Sequence, residues 1–270
     1  MKEAVKELGL SFSSVWRILC LDLKWKPYKL HMMNRLTPDN REKRETFCHF
    51  ILSRLDVDGY LQKVIWTDEK FFVLHPAPNR QNVRIWAPFD PMETVSCRYQ
   101  GDSKVMAWVA LINGEALRVQ WMEDDEGRNI RVTGDSYLHM LRTKVWPEIR
   151  QRARRQKWIW QQDGAPVHVG RATIEWLEET FEGRVISRNS DVEWPPYSPD
   201  LNPLDYFFWG YALAEVVRRK PDDLDELKGI VEEVVSNVAP EVVRAAVANL
   251  KRRAELCLES GGGHFEFAMD

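Results

Sequence analysis

The pattern of apolar and polar residues along the chain predicts strands and helices in a definite order. Lys63–Leu74, KVIWTDEKFFVL, is a nearly continuous apolar run, which is typical of a strand buried on both faces. Similar runs predict strands in KVMAWVALI and EALRVQWM, joined by a tight turn at Asn113–Gly114, and in KWIWQQD and GRVIS. Between the later strands and after the last of them, apolar residues recur at helical spacing. This order indicates an α/β fold with a mixed sheet flanked by helices.

The amino-terminal residues predict a small helical segment. Two short helical patterns flank Gly9, and Ser11 or Ser13 is placed to cap the second. The arrangement is typical of a helix-turn-helix, in which Ser13, Ser14 and Arg17 would face the major groove, but a plain helical hairpin has the same pattern.

A basic stretch with little periodicity follows, and then Thr37 caps a helix that begins at Pro38. We therefore divide the chain into a partial helix-turn-helix segment (1–23), a basic linker with a helix (24–59), and a larger domain (60–270).

Composition and charge narrow the class of protein. The chain has 270 residues, 44% of them hydrophobic, enough for a large core. Its longest apolar run, Val105–Ile112, is too short to cross a bilayer and its start is too polar for a signal peptide, so we expect a soluble intracellular protein. The four cysteines are widely spaced without a C-x-x-C pair, which favours reduced thiols over a zinc site or a disulfide framework.

The net charge of −3 does not indicate a nucleic-acid-binding protein, but the basic residues are clustered. One block lies between Lys24 and Arg44 and a second at Arg150–Lys157. Each block is either a phosphate-binding surface or a set of solvated helix faces. The candidate DNA contacts in the linker are Lys24, Lys26 and Lys29.

Two aspartates interrupt buried strands. Asp68 lies in the middle of the first strand, where an ionised carboxylate needs a compensating partner, either an arginine or a metal ion. Asp163 ends another strand in WQQDGAPVH, where Gly164 and Pro166 turn the chain away. Ligands of such sheets bind off the strand ends, so neighbouring strands would let Asp68 and Asp163 share a divalent cation.

A third carboxylate lies in SPDLNPLDYFFW. We expect Asn202 to cap a helix, Pro203 to be its first residue and Asp205 to project toward the sheet, although an acid in a first turn is also explained by the helix dipole. Asp200, in the preceding turn, is interpreted as structural.

Several neighbouring residues are less informative. Glu69 points to the opposite face of the strand from Asp68 and is left out of the site. His168 either contacts substrate or caps a turn. The tryptophans are interpreted as core residues: Trp66, Trp108, Trp160 and Trp194.

Three stretches, WTDEKFF, QQDGAPVH and WPPYSPDLNPLDYFFWGY, together resemble the mariner superfamily of cut-and-paste DNA transposases. The similarity runs from KPYKL in the linker to GGGHFE near the end. It implies a ribonuclease H-like fold in which Asp68, Asp163 and Asp205 bind two Mg²⁺ ions, with Mn²⁺ as a substitute. On this hypothesis Asp68 contacts both ions and each of the other two aspartates holds one.

The resemblance also implies metal-dependent DNA strand cleavage and strand transfer. The expected partners are double-stranded DNA, as transposon terminal repeats and target, and a second copy of the chain; the expected location is the nucleus.

Two departures stand out. The separation between Asp163 and Asp205 is several residues longer than in the best-known branches. Members of the family begin with two helix-turn-helix units, whereas this chain opens within the second, which implies an amino-terminally truncated member. The alternatives are a non-catalytic DNA-binding protein, decayed or recruited by its host, and a structure-selective nuclease on the same fold.

Overall fold

A computed structural model of the protein describes residues 9–24, 34–55, 59–75, 103–124, 126–152 and 157–266. The chain divides into two compact units, residues 1–35 and 36–270. The predicted first helix of the amino-terminal segment lies outside the described residues, as do Lys26, Lys29 and Cys97. No helix among the residues described combines the length and apolar character needed to span a bilayer.

The described part of the smaller unit is one short helix, α1 (Phe12–Arg17), continued by a π-helical turn at Ile18–Asp22. Ser11, rather than Ser13, is its cap, because the Ser11 hydroxyl accepts a hydrogen bond from the Ser14 amide at 3.1 Å. The hydroxyls of Ser13 and Ser14 each lie 2.9 Å from the Ser11 hydroxyl. The three serines therefore form one cluster at the start of α1.

In the larger unit the described residues form one seven-stranded sheet with helices packed against it. The strands are β1 (Val64–Val73), β2 (Lys104–Ile112), β3 (Glu115–Ala116), β4 (Gln120–Trp121), β5 (Ile159–Gln161), β6 (Val185–Ser187) and β7 (Val192–Glu193). The helices are α2 (Pro38–Arg54), α3 (Tyr60–Lys63), α4 (Gly134–Met140), α5 (Trp146–Arg152), α6 (Arg171–Phe181), α7 (Trp209–Arg219), α8 (Leu224–Asn237) and α9 (Pro240–Glu259).

The sheet is mixed, as predicted. Its order is β3-β2-β1-β5-β6-β7, with β4 pairing against β2. β1 is antiparallel to β2 and parallel to β5, and β5, β6 and β7 run parallel to one another. The predicted hairpin turn is confirmed, since Asn113 and Gly114 both adopt left-handed φ values, 49° and 86°.

A separate apolar core covers each face of the sheet. On one face α2, α7, α8 and α9 pack over side chains that include Trp66 and Trp194. On the other face α4, α5 and α6 pack over Trp108 and Trp160, whose rings stack at 6.2 Å, and Phe181 lies against Trp160. All four tryptophans predicted to be core residues are buried.

The helical segment that begins at Gly134 changes its hydrogen-bonding pattern partway along. A π-helical turn at Leu141–Val145 separates α4 from α5, just before Pro147. Pro147 has no amide hydrogen and its ring would clash with the carbonyl group of Thr143, so a widened turn replaces a regular α-helical one. The chain therefore accommodates the proline within one continuous helical segment.

Arg44 was counted in the basic block of the linker, but it is fully buried and does not face solvent. Its guanidinium donates to the two carboxylate oxygens of Asp200 at 2.7 and 2.6 Å. It also donates to the Ser198 hydroxyl at 2.9 Å and to the carbonyl oxygens of Gly262 and Gly263 at 2.9 and 3.2 Å. This group, the Arg44 cluster, joins α2 to the turn before α7 and to the carboxyl-terminal segment, and it confirms the structural role expected for Asp200.

Candidate active site

Asp68 and Asp163 occupy equivalent positions on neighbouring strands. Trp66 and Gln161 are the last pair of the parallel ladder between β1 and β5, and each aspartate lies two residues farther along. Thr67 secures this edge, because its amide donates to Gln161 Oε1 at 3.2 Å and its hydroxyl donates to the Gln161 carbonyl oxygen at 2.8 Å. The register of β1 and β5 therefore places the two carboxylates side by side, as the sequence predicts for neighbouring strands.

Asp205 lies in a π-helical turn that leads into α7. As predicted, Asn202 caps this helix: its side-chain oxygen accepts from the Leu204 amide at 3.1 Å, and helical structure begins at Pro203. The Asn202 side-chain nitrogen donates to the carbonyl oxygen of Thr67 at 3.2 Å. The buried cap thus attaches the start of the helix to the residue that precedes Asp68 in β1.

One cavity of about 640 Å³ receives all three predicted carboxylates, Asp68, Asp163 and Asp205, together with Glu69. Trp209 lies one helical turn after Asp205, and its indole nitrogen donates to Asp68 Oδ2 at 2.5 Å. No three His, Cys, Asp or Glu side chains in the described part of the chain already form a set of metal ligands. The carboxylates therefore line one cavity, but in the described part of the chain no three of them are close enough to form a ready set of metal ligands.

His168 bridges two of these carboxylates. Its Nδ1 lies 2.6 Å from Asp163 Oδ1 and its Nε2 lies 3.1 Å from Glu69 Oε1. Burial opposes protonation, but Glu69 and Asp163 together raise the pKa of His168 to about 10, so the ring is an imidazolium that donates to both. Although burial also acts against the ionised form of Asp163, the hydrogen bond from His168 holds the pKa of Asp163 below its usual value.

Leaving Glu69 out of the site was wrong. Side chains alternate as expected along β1, but the cavity opens at the edge of the sheet, where Glu69 and Asp68 both reach it from opposite faces. Gln162 was also missed. It accepts from the Tyr137 hydroxyl at 3.1 Å and donates to the carbonyl oxygen of His168 at 3.0 Å. Two consecutive glutamines at the end of an apolar strand were the available signal, since buried amides require partners.

The electrostatics of the cavity suit divalent cations. Burial, then Asp205 and Glu69, raise the pKa of Asp68 well above its usual value. Burial raises the pKa of Asp205 to about 6, with Asp163 adding to the effect and Lys70 opposing it. No arginine forms an ion pair with Asp68 or Asp205 among the residues described, so the arginine alternative for Asp68 is not realised there. The carboxylate oxygens of Asp68 and Asp205, crowded together without an ion-pair partner among the residues described, are donors that fit Mg²⁺ or Mn²⁺.

The mixed sheet, with one carboxylate within β1, a second just past the end of the adjacent β5 and a third on a following helix, is a ribonuclease H-like fold. The solved paired-end complex of the mariner Mos1 transposase with Mg has the same fold: its TM-score is 0.78 at 22% identity, and the match covers 98% of this chain and 74% of that one. No protein-family model matches the chain.

Proteins with similar sequences are also transposases. The Mariner Mos1 transposase of Drosophila mauritiana is 25% identical over 248 residues, which cover 90% of this chain and 66% of that protein. The Tc3 transposase of Caenorhabditis elegans is 25% identical over 188 residues, 70% of this chain and 51% of that protein. The chain is a homologue of these two transposases. It spans between about half and two thirds of the length of these two relatives.

Proposed function

We propose that this chain is the catalytic part of a DNA transposase that cleaves DNA strands and transfers them to a target by a cut-and-paste reaction. The observation that carries the proposal is the meeting of Asp68, Asp163 and Asp205 in one cavity of a ribonuclease H-like fold. The homology to the Mos1 and Tc3 transposases supports it. The division into a partial helix-turn-helix (1–23), a linker with a helix (24–59) and a catalytic domain (60–270) belongs to the same proposal.

The three aspartates would hold two divalent cations, Mg²⁺ or Mn²⁺ in its place. When bound, such cations activate the attacking oxygen and neutralise charge on the phosphoryl group and the leaving oxygen. The other residues position these ligands. Trp209 orients Asp68 through its indole hydrogen bond, and the buried His168 fixes Asp163 while offsetting the charge of Glu69.

The chemistry needs no covalent bond to the protein. In the first step a water oxygen forms a bond to phosphorus, the strand's 3′ oxygen leaves with a proton, and a 5′ phosphate and a 3′ hydroxyl result. In the second step that 3′ hydroxyl loses its proton and attacks a phosphodiester of the target, whose own 3′ oxygen leaves. One phosphodiester is exchanged for another, so the joining step requires no external energy source.

The substrates of this reaction are double-stranded DNA, as transposon terminal repeats and as target, held by a homodimer in the nucleus. The Mos1 structure, a paired-end complex, supports this assembly by analogy. Ser13 and Arg17 are exposed on α1, which suits a DNA-facing surface. The proposed DNA contacts are Ser13, Ser14, Arg17, Lys24, Lys26 and Lys29.

A strand-transfer assay tests the proposal. The substrate is a labelled duplex with an exposed 3′ hydroxyl end, the acceptor is a supercoiled plasmid, and Mg²⁺ or Mn²⁺ is supplied. We expect joined product with the parent and none with Asp68→Asn, Asp163→Asn or Asp205→Asn. Asp225→Asn is the matched control, because its side chain is 94% exposed on α8.

Each other outcome has a meaning. DNA binding without product under either metal would favour the non-catalytic DNA-binding alternative. Cutting of branched DNA or RNA hybrids without joining would favour the structure-selective nuclease.

A further inference from the structure

Arg188 and Asp163 occupy equivalent positions just past the ends of the neighbouring strands β6 and β5. Gln161 pairs with Ile186 in the parallel ladder of these two strands. Arg188 lies two residues beyond Ile186, as Asp163 lies two residues beyond Gln161. The side chain of Arg188 lines the same cavity as the carboxylates. A cation is therefore placed at the edge of the sheet directly beside the acidic group.

The turn that carries Arg188 is held in one conformation by a serine. The Ser190 hydroxyl lies 2.9 Å from each of three backbone atoms: the Ser187 amide nitrogen, the Ser187 carbonyl oxygen and the Val192 carbonyl oxygen. Asn189 adopts a left-handed φ of 64°, a conformation that asparagine tolerates better than most residues. These contacts fix where the chain leaves β6, and hence where the Arg188 side chain begins.

Gly164, the residue after Asp163, leaves room for the stem of Arg188. A Cβ atom at position 164 would lie 3.2 Å from Arg188 Cδ and 3.4 Å from Arg188 Cβ. The aliphatic part of Arg188 thus packs against the backbone that presents Asp163. The stem of Arg188 is thus confined beside Gly164, and Arg188 lines the cavity.

The charges around the cavity leave Arg188 available for a ligand. Of the residues that the structure describes, two cations line the cavity, Lys43 and Arg188. Lys43 is engaged by Glu193 at 3.1 Å and by Asp39 at 3.7 Å. Arg188 forms no ion pair or hydrogen bond with any of the residues described. A phosphodiester that approaches four carboxylates is repelled unless positive charge accompanies it, and an arginine fork matches phosphate oxygens.

We propose that Arg188 binds a backbone phosphate of the DNA strand that enters the cavity, next to the phosphodiester under attack. This inference rests on the proposed function and adds to it a substrate-binding residue on the turn after β6. Arg188 acts on the substrate strand, whereas the three aspartates hold the cations. Losing its guanidinium is expected to weaken the productive complex with DNA without disturbing the carboxylates.

Arg188→Met tests this inference, because methionine keeps an unbranched stem over Gly164 and removes the charge. We expect kcat/KM for strand transfer to fall on the order of tenfold, the effect of one charge-assisted hydrogen bond. The log–log slope of DNA affinity against salt should fall by about 0.9, the value for one phosphate contact. Arg188→Lys keeps the charge and should retain the salt slope, but it lacks the fork and should recover only part of kcat/KM. Arg252→Met, which removes an exposed arginine of α9, should match the parent.

The outcomes separate this inference from the function on which it rests. An active parent whose Arg188→Met variant keeps the parental salt slope and kcat/KM overturns the role of Arg188 alone. A parent that joins no DNA overturns the proposed function, and this inference with it. Equal melting temperatures of the parent, Arg188→Met and Arg188→Lys would show that the loss is in DNA binding; a lower melting temperature for both variants would assign Arg188 a structural role instead.

Discussion

Replacing Arg44 with methionine is expected to remove much of the stability of the larger unit. The side chain of Arg44 is 0% exposed and that of its partner Asp200 only 4%. Methionine fills a similar volume, but it leaves Asp200 as a buried charge without its two hydrogen bonds, and it frees the carbonyl oxygens of Gly262 and Gly263. Breaking a buried pair from one side costs about 3–5 kcal/mol, out of a total stability of roughly 5–15 kcal/mol for a typical domain.

Urea unfolding followed by tryptophan fluorescence measures this effect. The double variant Arg44→Met/Asp200→Asn should recover part of the loss, because it removes the uncompensated charge as well. Lys43→Met is the matched control: the adjacent residue on α2 also pairs with an acid, Glu193, but both side chains are more than one third exposed, so its unfolding midpoint should stay close to that of the parent. An Arg44→Met variant that loses no more stability than Lys43→Met would refute the reasoning.

Three further predictions concern single positions. Asp205→Asn should stabilise the metal-free protein at pH 7 by about 1–3 kcal/mol but not at pH 3.5, because burial raises the pKa of Asp205 to about 6 and only the ionised form opposes folding; equal stability at pH 7 would contradict this. His168→Gln should destabilise most below pH 6.5, and the difference should shrink as the pH rises through about 10, the pKa of His168 in the fold; urea unfolding across this range checks the sign. Gly262→Ala should cost more than about 2 kcal/mol, because Gly262 has a φ of 68° and a Cβ would collide with the Arg41 carbonyl oxygen, whereas Gly210→Ala in α7 meets open space and should gain about 0.5–1 kcal/mol; thermal melting compares them.

Local patterns were sufficient where an element is determined by a continuous apolar run or by a few consecutive residues. The apolar run at 63–74 predicted β1 within one residue at each end, although only Val64–Thr67 and Phe72 are fully buried in it. Thr37 was recognised as the cap of α2, and Asn113–Gly114 as a hairpin turn, because both depend on the conformation of a few consecutive residues. The meeting of the carboxylates at one edge followed from the parallel strands.

Features that depend on distant partners could not be predicted in this way. The sequence places Arg44 in a basic block, but acceptors far along the chain, among them Asp200 156 residues later, hold it in the interior. The role of Glu69 depends on His168, which reaches it from a turn 99 residues away. Periodicity places Glu69 on the correct face of β1, but it does not show that the site extends around the edge of the sheet.

The Arg44 cluster also sets limits on dissecting the protein. Because Arg44 on α2 holds both Asp200 and the backbone at Gly262 and Gly263, a fragment that begins at β1 or is trimmed before Gly262 would lack a donor or an acceptor of this cluster. The first cut leaves Asp200, shortly before Asp205, as a buried carboxylate without its donor. The second leaves the buried guanidinium of Arg44 without two of its acceptors. The smallest piece suitable for expression therefore begins at Thr37 or earlier and keeps the glycines near the carboxyl end.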